Sequence, residues 1–170
     1  MSEQGTYASI TFSDDTKRSL HEFGITHKIP NLIHFEDFHA TLLYSRKQCI
    51  GYIPLGRLPE SIVALPHSFE MFKSDDNNCL VLVLNSPELI ERHHHIRTTH
   101  GGTHDYESYI PHVTISYNVN DFDHHALPLP DFDLMVVEEQ SHPLKLDWKI
   151  RAHRPPNVVD LYNNSGTVCV

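Results

Sequence analysis

The sequence predicts an α+β fold made of two similar halves around a cleft. Strand and helix patterns alternate along the 170 residues, and the order strand, capped helix, loop, strand occurs twice, at about 6–45 and 79–117. The last strand of each half carries a histidine followed two residues later by a threonine. An internal duplication would make these strands pseudo-symmetric partners. We therefore expect two lobes of mostly antiparallel sheet, with the helices outside and the two histidines facing across a central cleft.

The first half begins with a regular alternation of apolar and polar residues. This alternation predicts a half-buried strand over Thr6–Phe12. Ser13 or Asp14 is a suitable N-cap for the helix that follows, and Gly24 is a typical C-terminal stop. A loop with a Pro-Asn break then leads into the first histidine-bearing strand, which we expect at 38–45.

The second half repeats this order with stronger local signals. Leu80–Leu84 is apolar on both faces, which is typical of a central strand. Ser86 and Pro87 predict the start of a helix, because serine caps the exposed N–H groups and proline fits the first helical position. Gly101-Gly102 predicts its end. The second histidine-bearing strand is expected at 110–117.

The remaining segments are assigned from composition. Gly51–Pro66 is rich in proline and glycine and is interpreted as a connector between the halves. Ser68–Lys73 and Phe132–Gln140 are predicted strands. We expect one bilobal domain over 1–150, followed by a C-terminal extension over 151–170.

Charge and cysteine usage exclude several functional classes. The net charge is −9, which opposes binding to long DNA or RNA. Cys49, Cys79 and Cys169 are odd in number and widely spaced, which predicts free thiols in a reducing compartment. The longest apolar run is too short to span a bilayer, and the N-terminus is polar. We expect a cytoplasmic protein without a membrane segment.

The two His-x-Thr triplets define the candidate active site. A strand sends successive side chains to opposite faces, so His39 and Thr41 share one face, as do His112 and Thr114. The apolar residues between and beyond them then point into the core. The chain contains 15 histidines, so such a triplet carries no weight alone. The repeated order of elements around both triplets gives them their significance.

This set of side chains can cleave a phosphodiester without a metal or cofactor. Histidine near neutral pH can act as a general base or as a general acid. Threonine hydroxyls can donate hydrogen bonds to the non-bridging phosphate oxygens as charge develops. We expect one histidine to activate a ribose 2′-hydroxyl or a water and the other to protonate the leaving 5′-oxygen. Which histidine is the base stays open.

The paired strands resemble the 2H phosphoesterase superfamily, which is named for two His-x-Thr/Ser motifs. Within it, the chain resembles the phage anti-CBASS phosphodiesterases, which degrade the cyclic nucleotide signals of a bacterial anti-phage defence. The resemblance covers about Tyr7 to Trp148. It rests on these segments: Y-A-S-I-T-F-S, H-A-T-L-L-Y-S-R-K, L-V-L-V-L, E-R-H, G-T-H-D-Y and Y-I-P-H-V-T-I-S-Y.

The resemblance also implies a set of substrate-binding residues. Tyr7 and an aromatic at Phe72 would stack on nucleobases, and Trp148 would line the pocket. The family usually has a tryptophan where Phe72 stands. A glutamate late in the chain would contact the ligand; Glu138 and Glu139 both satisfy this, and Glu139 is our candidate. The implied partner is a small cyclic nucleotide, and the oligomeric state stays open.

Three other interpretations compete with this one. The histidines at 93–95, 100 and 104 suggest a metal site, but three consecutive histidines point in different directions around a helix and two glycines interrupt the remaining pair. We interpret them as structural or surface residues. The same cleft would serve a protein that sequesters a cyclic nucleotide without cutting it. An RNA-end 2′,3′-cyclic phosphodiesterase is a third possibility, which the acidic charge disfavours.

Overall fold

Six strands form a closed antiparallel sheet in a computed structural model, which describes residues 4–73, 76–106 and 108–145. Two helices accompany the sheet. The elements in chain order are β1 Gln4–Phe12, α1 Asp14–Thr26, β2 His39–Ser45, β3 Gly56–Lys73, β4 Asn78–Asn85, α2 Pro87–His100, β5 His112–Ser116 and β6 Leu134–Lys145. Short 3₁₀ turns precede β2 at Phe35–Asp37 and follow β5 at His124–Ala126.

The order of the strands around the sheet is itself symmetric. The strands follow one another as β1-β2-β5-β4-β3-β6, and β6 pairs with β1 to close the ring. This order is unchanged when β1, β2 and β3 are exchanged with β4, β5 and β6. In the described residues β2 is registered with β5 by one pair, Ala40 with Val113. That pair lies where a two-fold axis relating the halves would pass.

The main hydrophobic core lies on the helix side of the sheet. The residues between and beyond the histidines and threonines point into it: Ala40, Leu42 and Val113 are fully buried, and Ile115 is 1% exposed. Leu20 of α1 and Leu89 and Ile96 of α2 pack in the same cluster. The predicted orientation of the two strands, apolar side chains inward, is confirmed.

Helix α1 begins as predicted but ends later. The Ser13 side chain accepts a hydrogen bond from the N–H of Thr16 at 3.2 Å. The helix passes through Gly24 and closes in a Schellman motif, in which Lys28, at φ 56°, takes the left-handed position. The N–H of Ile29 binds the Gly24 carbonyl at 3.0 Å. The prediction of a stop at Gly24 was wrong, because this glycine is buried against Leu32 inside the helix.

Helix α2 and its neighbours follow their local signals closely. Ser86 occupies the N-cap position, Pro87 opens the helix, and Gly101 ends it at φ 69°. The Ser86 hydroxyl does not cap the helix as expected; it donates to the Val63 carbonyl at 3.4 Å. The preceding strand β4 lies between β3 and β5, as its apolar sequence indicated.

The predicted connector at 51–66 was wrong from Gly56 onwards. Gly56–Lys73 is one strand of 18 residues, which pairs with β6 through its first half and with β4 through its second. Its prolines lie where the pairing is irregular: Pro59 falls in the register shift between Arg57 and Ile62, and Pro66 borders another shift. A proline lacks the N–H that a regular ladder needs, so these positions tolerate it.

The described residues test the expectations about the cysteines and the C-terminal extension only in part. Cys49 is a free, buried thiol, as expected, and Cys169 lies outside the described residues. No helix in the described ranges is long and apolar enough to cross a membrane. The predicted extension at 151–170 lies outside the described residues.

Candidate active site

The two His-x-Thr motifs lie side by side on one face of the sheet. Antiparallel continuation of the pair that registers β2 with β5 places Thr41 opposite His112 and His39 opposite Thr114. Each histidine is therefore beside the threonine of the other strand. All four residues share the face opposite to the helices.

The two imidazole rings are held in the same way. Nδ1 of His39 lies 2.8 Å from the carbonyl oxygen of Asp37, and Nδ1 of His112 lies 2.8 Å from that of Ile110. A carbonyl oxygen only accepts hydrogen bonds, so each neutral ring carries its proton on Nδ1. Nε2 is then the basic nitrogen in both motifs.

The threonines are buried beside these rings. Thr41 is 5% exposed and Thr114 is 2% exposed. The hydroxyls of Thr41 and Tyr7 lie 3.1 Å apart and share a hydrogen bond. Burial raises the pKa of Tyr7 to about 12, so this phenol keeps its proton near neutral pH.

A cleft of about 730 Å³ opens on the His39 side of this face. Its sheet wall consists of Tyr7, Ser9, Thr11, His39, Gln140 and His142. The loop at 31–38 and Tyr117 form the other side. Register explains the composition of the sheet wall, because Tyr7 pairs with His142 and Ser9 pairs with Gln140. The volume falls in the range typical of small-molecule sites.

Comparison with known proteins identifies the family. The family model described as anti-CBASS protein Acb1 matches residues 4–151. The chain belongs to this family. It is similar to the anti-CBASS protein Acb1 of Enterobacteria phage T4, at 38% identity over 146 residues, which covers 85% of this chain and 91% of the relative. The counterpart from Vibrio phage KVP40 is 33% identical over 152 residues, covering 87% and 93%.

Solved structures with this fold include E. coli LigT. LigT complexed with 3′-AMP gives a TM-score of 0.59 at 17% identity and covers 82% of this chain and 87% of its own. LigT complexed with NADP+ gives 0.57 at 16% identity, covering 84% and 88%. A further phosphoesterase gives 0.53 at 15%, covering 84% and 95%. The predicted 2H phosphoesterase-like fold is confirmed, as are the predicted family and the class of phosphodiesterase.

Among the substrate-binding candidates in this Acb1-family chain, the structure brings two to the motif face. Tyr7 lines the cleft, and its ring contacts that of His142 with centroids 4.9 Å apart. Phe72 lies edge-on to His112 at 5.4 Å but is only 4% exposed. Its ring packs with Cys79 and Val81 on the motif side of the sheet. Trp148 lies outside the described residues.

Glu139 lies on the helix side of the sheet, away from both motifs. It pairs with Ile10 in register, and its carboxylate forms a two-point ion pair with Arg92 of α2, at 2.9 and 3.0 Å. Tyr52 donates a hydrogen bond to it at 2.5 Å. Glu138, the alternative that the sequence left open, pairs with Thr11 and so shares the motif face.

The histidines suspected of metal binding have other partners. His93 is fully buried, and its Nδ1 lies 2.7 Å from the Leu42 carbonyl oxygen. His100 contacts the Ile50 carbonyl at 3.0 Å through Nδ1, and His104 contacts the Ser108 carbonyl at 3.3 Å through Nε2. No group of three histidine, cysteine or acidic residues in the described part of the chain could hold a metal ion.

The sequence did not reveal several residues of the site. Gln140 and His142 reach the cleft because β6 pairs with β1, and no local pattern specifies that partner. Tyr109 donates a hydrogen bond to the Thr41 carbonyl at 2.8 Å from a loop 68 positions away. In the sequence, Tyr109 stands two residues before Pro111, close to the second motif. This proximity was the signal that could have identified it.

Proposed function

We propose that this protein hydrolyses cyclic oligonucleotide signals to linear products, with the scissile phosphate bound between His39 and His112. The observation that carries this proposal is the matched pair of imidazoles on neighbouring strands, each with Nδ1 on a carbonyl and Nε2 as its basic nitrogen. Membership of the anti-CBASS family supports the cyclic nucleotide as substrate. Such a substrate would be met in the cytoplasm of an infected bacterial cell.

The two imidazoles take opposite roles in each proton transfer. One Nε2 removes the proton from a ribose 2′-hydroxyl or a water as that oxygen attacks phosphorus. The other ring, protonated at Nε2, gives its proton to the departing 5′-oxygen as the P–O bond breaks. Attack by a 2′-hydroxyl forms a 2′,3′-cyclic phosphate first, and a water then opens it with the roles reversed.

The threonines stabilise the charge that develops on the phosphate. Thr41 and Thr114 lie beside the histidines in a buried environment, where a hydroxyl–oxyanion hydrogen bond is stronger than in water. Tyr7 shares a hydrogen bond with Thr41, so it limits the orientations of that hydroxyl. The two histidines, the two threonines and Tyr7 supply the proton acceptors and donors that the cleavage steps need, so the proposed mechanism uses no cofactor.

The cleft next to His39 suits the nucleoside portions of the substrate. Tyr7 and Tyr117 provide aromatic surface, and the Gln140 amide and His142 imidazole provide polar contacts. Every base offers a face for stacking, at about 1–3 kcal/mol per base when the aromatic residue is replaced by alanine. Glu138 is one of the acidic residues that share this face. These features support a small cyclic nucleotide in preference to a long strand.

The decisive experiment uses a panel of cyclic di- and trinucleotides in the presence of EDTA, with products separated by chromatography. The wild-type protein is expected to yield linear products. His39→Ala and His112→Ala should each reduce the rate by roughly 10²–10⁴-fold, because each removes one proton carrier. His94→Ala, which changes an exposed histidine of α2, should cleave at the wild-type rate.

The same experiment separates the alternatives. Wild-type cleavage by His39→Ala would contradict the catalytic assignment. Intact nucleotide released from denatured wild-type protein, without linear product, would favour a sequestering protein. Opening of an RNA-terminal 2′,3′-cyclic phosphate, with no action on cyclic dinucleotides, would favour the RNA-end enzyme.

A further inference from the structure

Backbone pairing between β2 and β5 is too short to fix the distance between the two His-x-Thr motifs. One residue pair registers these strands in the described residues, whereas β1 and β2 are registered by six. Strand β2 also contains a bulge at Leu42, which separates the pair Ser9–Thr41 from the pair Ala8–Leu43. Other contacts must therefore hold Thr41 at its distance from His112.

Two side chains bind the backbone of β2 at this bulge. The Tyr109 hydroxyl donates to the Thr41 carbonyl oxygen at 2.8 Å, and Nδ1 of His93 donates to the Leu42 carbonyl oxygen at 2.7 Å. The two rings stack on each other with centroids 4.1 Å apart and an interplanar angle of 7°. The carbonyls of two consecutive residues of β2 are thus hydrogen-bonded by one pair of stacked rings.

His93 is held in the state that this contact needs. It is fully buried, and burial lowers its pKa to about 4, so the ring is neutral near pH 7. Its Nδ1 faces a carbonyl that only accepts, which fixes the proton on Nδ1. The His104 ring lies edge-on to it at 4.8 Å and completes the packing.

The loop that carries Tyr109 is fastened along the same strand. The N–H of Thr103 donates to the Ser45 hydroxyl at 2.9 Å, and the N–H of Arg46 donates to the Thr103 hydroxyl at 2.9 Å. The Arg46 guanidinium pairs with Asp105 at 3.0 Å. This loop leads directly from α2 to His112, so it connects β2 to the second motif by a path outside the sheet.

We propose that His93 and Tyr109 are positioning residues that set the distance between Thr41 and the His112 motif. Neither residue belongs to the catalytic set; Tyr109 acts through the backbone of Thr41, and His93 acts through the adjoining Leu42 and through the stacked Tyr109 ring. This inference rests on the proposed phosphodiesterase function of the two motifs. It gives a role to the E-R-H segment, which the cleavage steps do not use.

The test compares variants that remove one hydrogen bond and leave the ring or a donor in place. Tyr109→Phe retains the stacked ring, and we expect kcat on a cyclic dinucleotide to fall roughly 5- to 10-fold while KM changes less than about twofold. His93→Leu removes the donor and should lower kcat by at least as much. His93→Asn keeps an N–H near the position of Nδ1 and should restore kcat to within roughly threefold of wild type. His95→Leu, at an exposed position of the same helix, is the matched control.

A double-mutant cycle distinguishes positioning from general stability. If Tyr109 acts through Thr41, adding Tyr109→Phe to Thr41→Val should lower kcat by less than about twofold further. Independent, multiplying effects of the two changes would overturn the proposal. Equal kcat for His93→Leu and His93→Asn would overturn the role of His93. If His93→Leu does not fold, Tyr109→Phe and the cycle still decide.

A readout without activity separates this inference from the proposed function. Hydrogen exchange of the β2 amides should be faster in Tyr109→Phe than in wild type, while exchange in β6 is unchanged. Unchanged exchange in β2 would overturn the positioning role. If wild type cleaves no cyclic nucleotide but β2 exchange rises in the variant, the proposed function fails and the structural part of the inference stands.

Discussion

At the level of single residues, Tyr7 combines two possible contributions to the site. Its hydroxyl shares a hydrogen bond with Thr41, and its ring lines the cleft against His142. In the proposed site, the hydroxyl positions the threonine that would stabilise the phosphate, whereas the ring would contact the base. These contributions should therefore appear in different kinetic constants.

Tyr7→Phe and Tyr7→Leu are expected to separate them. Phenylalanine keeps the ring, so kcat on a cyclic dinucleotide should fall roughly fivefold with little change in KM. Leucine also removes the aromatic surface, so KM should rise by about tenfold or more. Steady-state kinetics on the two variants measure both constants. An unchanged kcat in Tyr7→Phe would show that the Thr41 contact has no catalytic role.

Loss of Arg92 is expected to destabilise the fold strongly. Arg92 neutralises Glu139, which is 2% exposed, and its removal would leave a buried carboxylate with the Tyr52 hydroxyl as its one remaining partner among the described residues. Arg92→Leu should therefore lower the free energy of unfolding by about 3–5 kcal/mol. Tyr52→Phe removes one hydrogen bond and should cost about 1–2 kcal/mol. Urea denaturation of each variant measures these values.

Arg18 provides the matched control for this prediction. Its ion pair with Asp15 is 3.5 Å long, and the two side chains are 64% and 95% exposed. Solvent screens such a pair, so Arg18→Leu should change the free energy of unfolding by less than about 0.5 kcal/mol. Equal losses for Arg92→Leu and Arg18→Leu would contradict the expected cost of leaving the Glu139 carboxylate unpaired.

At the level of elements, Gly24 shows how packing overrides a helix signal. A Cβ on this residue would lie 2.4 Å from a methyl carbon of Leu32. Alanine favours the helix by about 1 kcal/mol over glycine, but this clash opposes it. We expect Gly24→Ala to lower the melting temperature in the wild-type background. In a Leu32→Ala background, where the clash is absent, the same change should raise it. A higher melting temperature in both backgrounds would contradict the packing argument.

The elements that the sequence predicted well are those with signals inside the element. Helix α2 carries its own start and stop, and β2 and β5 each alternate within a few residues. Strand β3 was missed because its glycine and prolines mimic a connector. Its stability as a strand comes from two different partners, β6 and β4, which lie far away in sequence. Local patterns contain no information about those partners.

The residues of the candidate site show the same difference between local and long-range signals. The four motif residues were predictable because strand alternation alone places them on one face. The side of Glu139 depended on the register of β6 against β1, and one residue of slip exchanges it with Glu138. Tyr109 and His93 were not predicted because their contacts with β2 span 68 and 51 positions. Hydrogen bonds between residues this far apart in the chain produce no periodic pattern in the sequence.

At the level of the whole molecule, the symmetry of the sheet accounts for the placement of the chemistry. Exchange of the two halves maps β2 onto β5, so one motif strand from each half meets the other beside the pseudo-axis. A phosphate bound near that axis would have an imidazole on either side. General acid–base cleavage needs this arrangement, because the entering and leaving oxygens lie on opposite sides of phosphorus. In the proposed mechanism, two symmetry-related strands with one histidine each would therefore provide both proton carriers.

Global stability is expected to depend on pH through the buried His93. Burial lowers its pKa to about 4, and the nearby His104, Arg97 and His94 act in the same direction, against the Leu42 carbonyl contact. In the unfolded chain a histidine titrates near pH 6.5, so between about pH 6.5 and 4 the unfolded state binds a proton that the folded state excludes. Stability must fall as pH decreases through this window, by roughly 3 kcal/mol at most for this residue.

His93→Asn removes the titrating group but keeps an amide donor for the Leu42 carbonyl. Its free energy of unfolding, measured by urea denaturation at steps from pH 7 to 4.5, should therefore fall less steeply than that of wild type. Burial also lowers the pKa of His104, and this residue remains in the variant. The slope of the variant should therefore be smaller than that of wild type without vanishing. His95→Asn changes an exposed histidine of the same helix that is not among the groups acting on His93, and it should keep the wild-type slope. Parallel curves for wild type and His93→Asn would show that His93 is not excluded from protonation in the folded state.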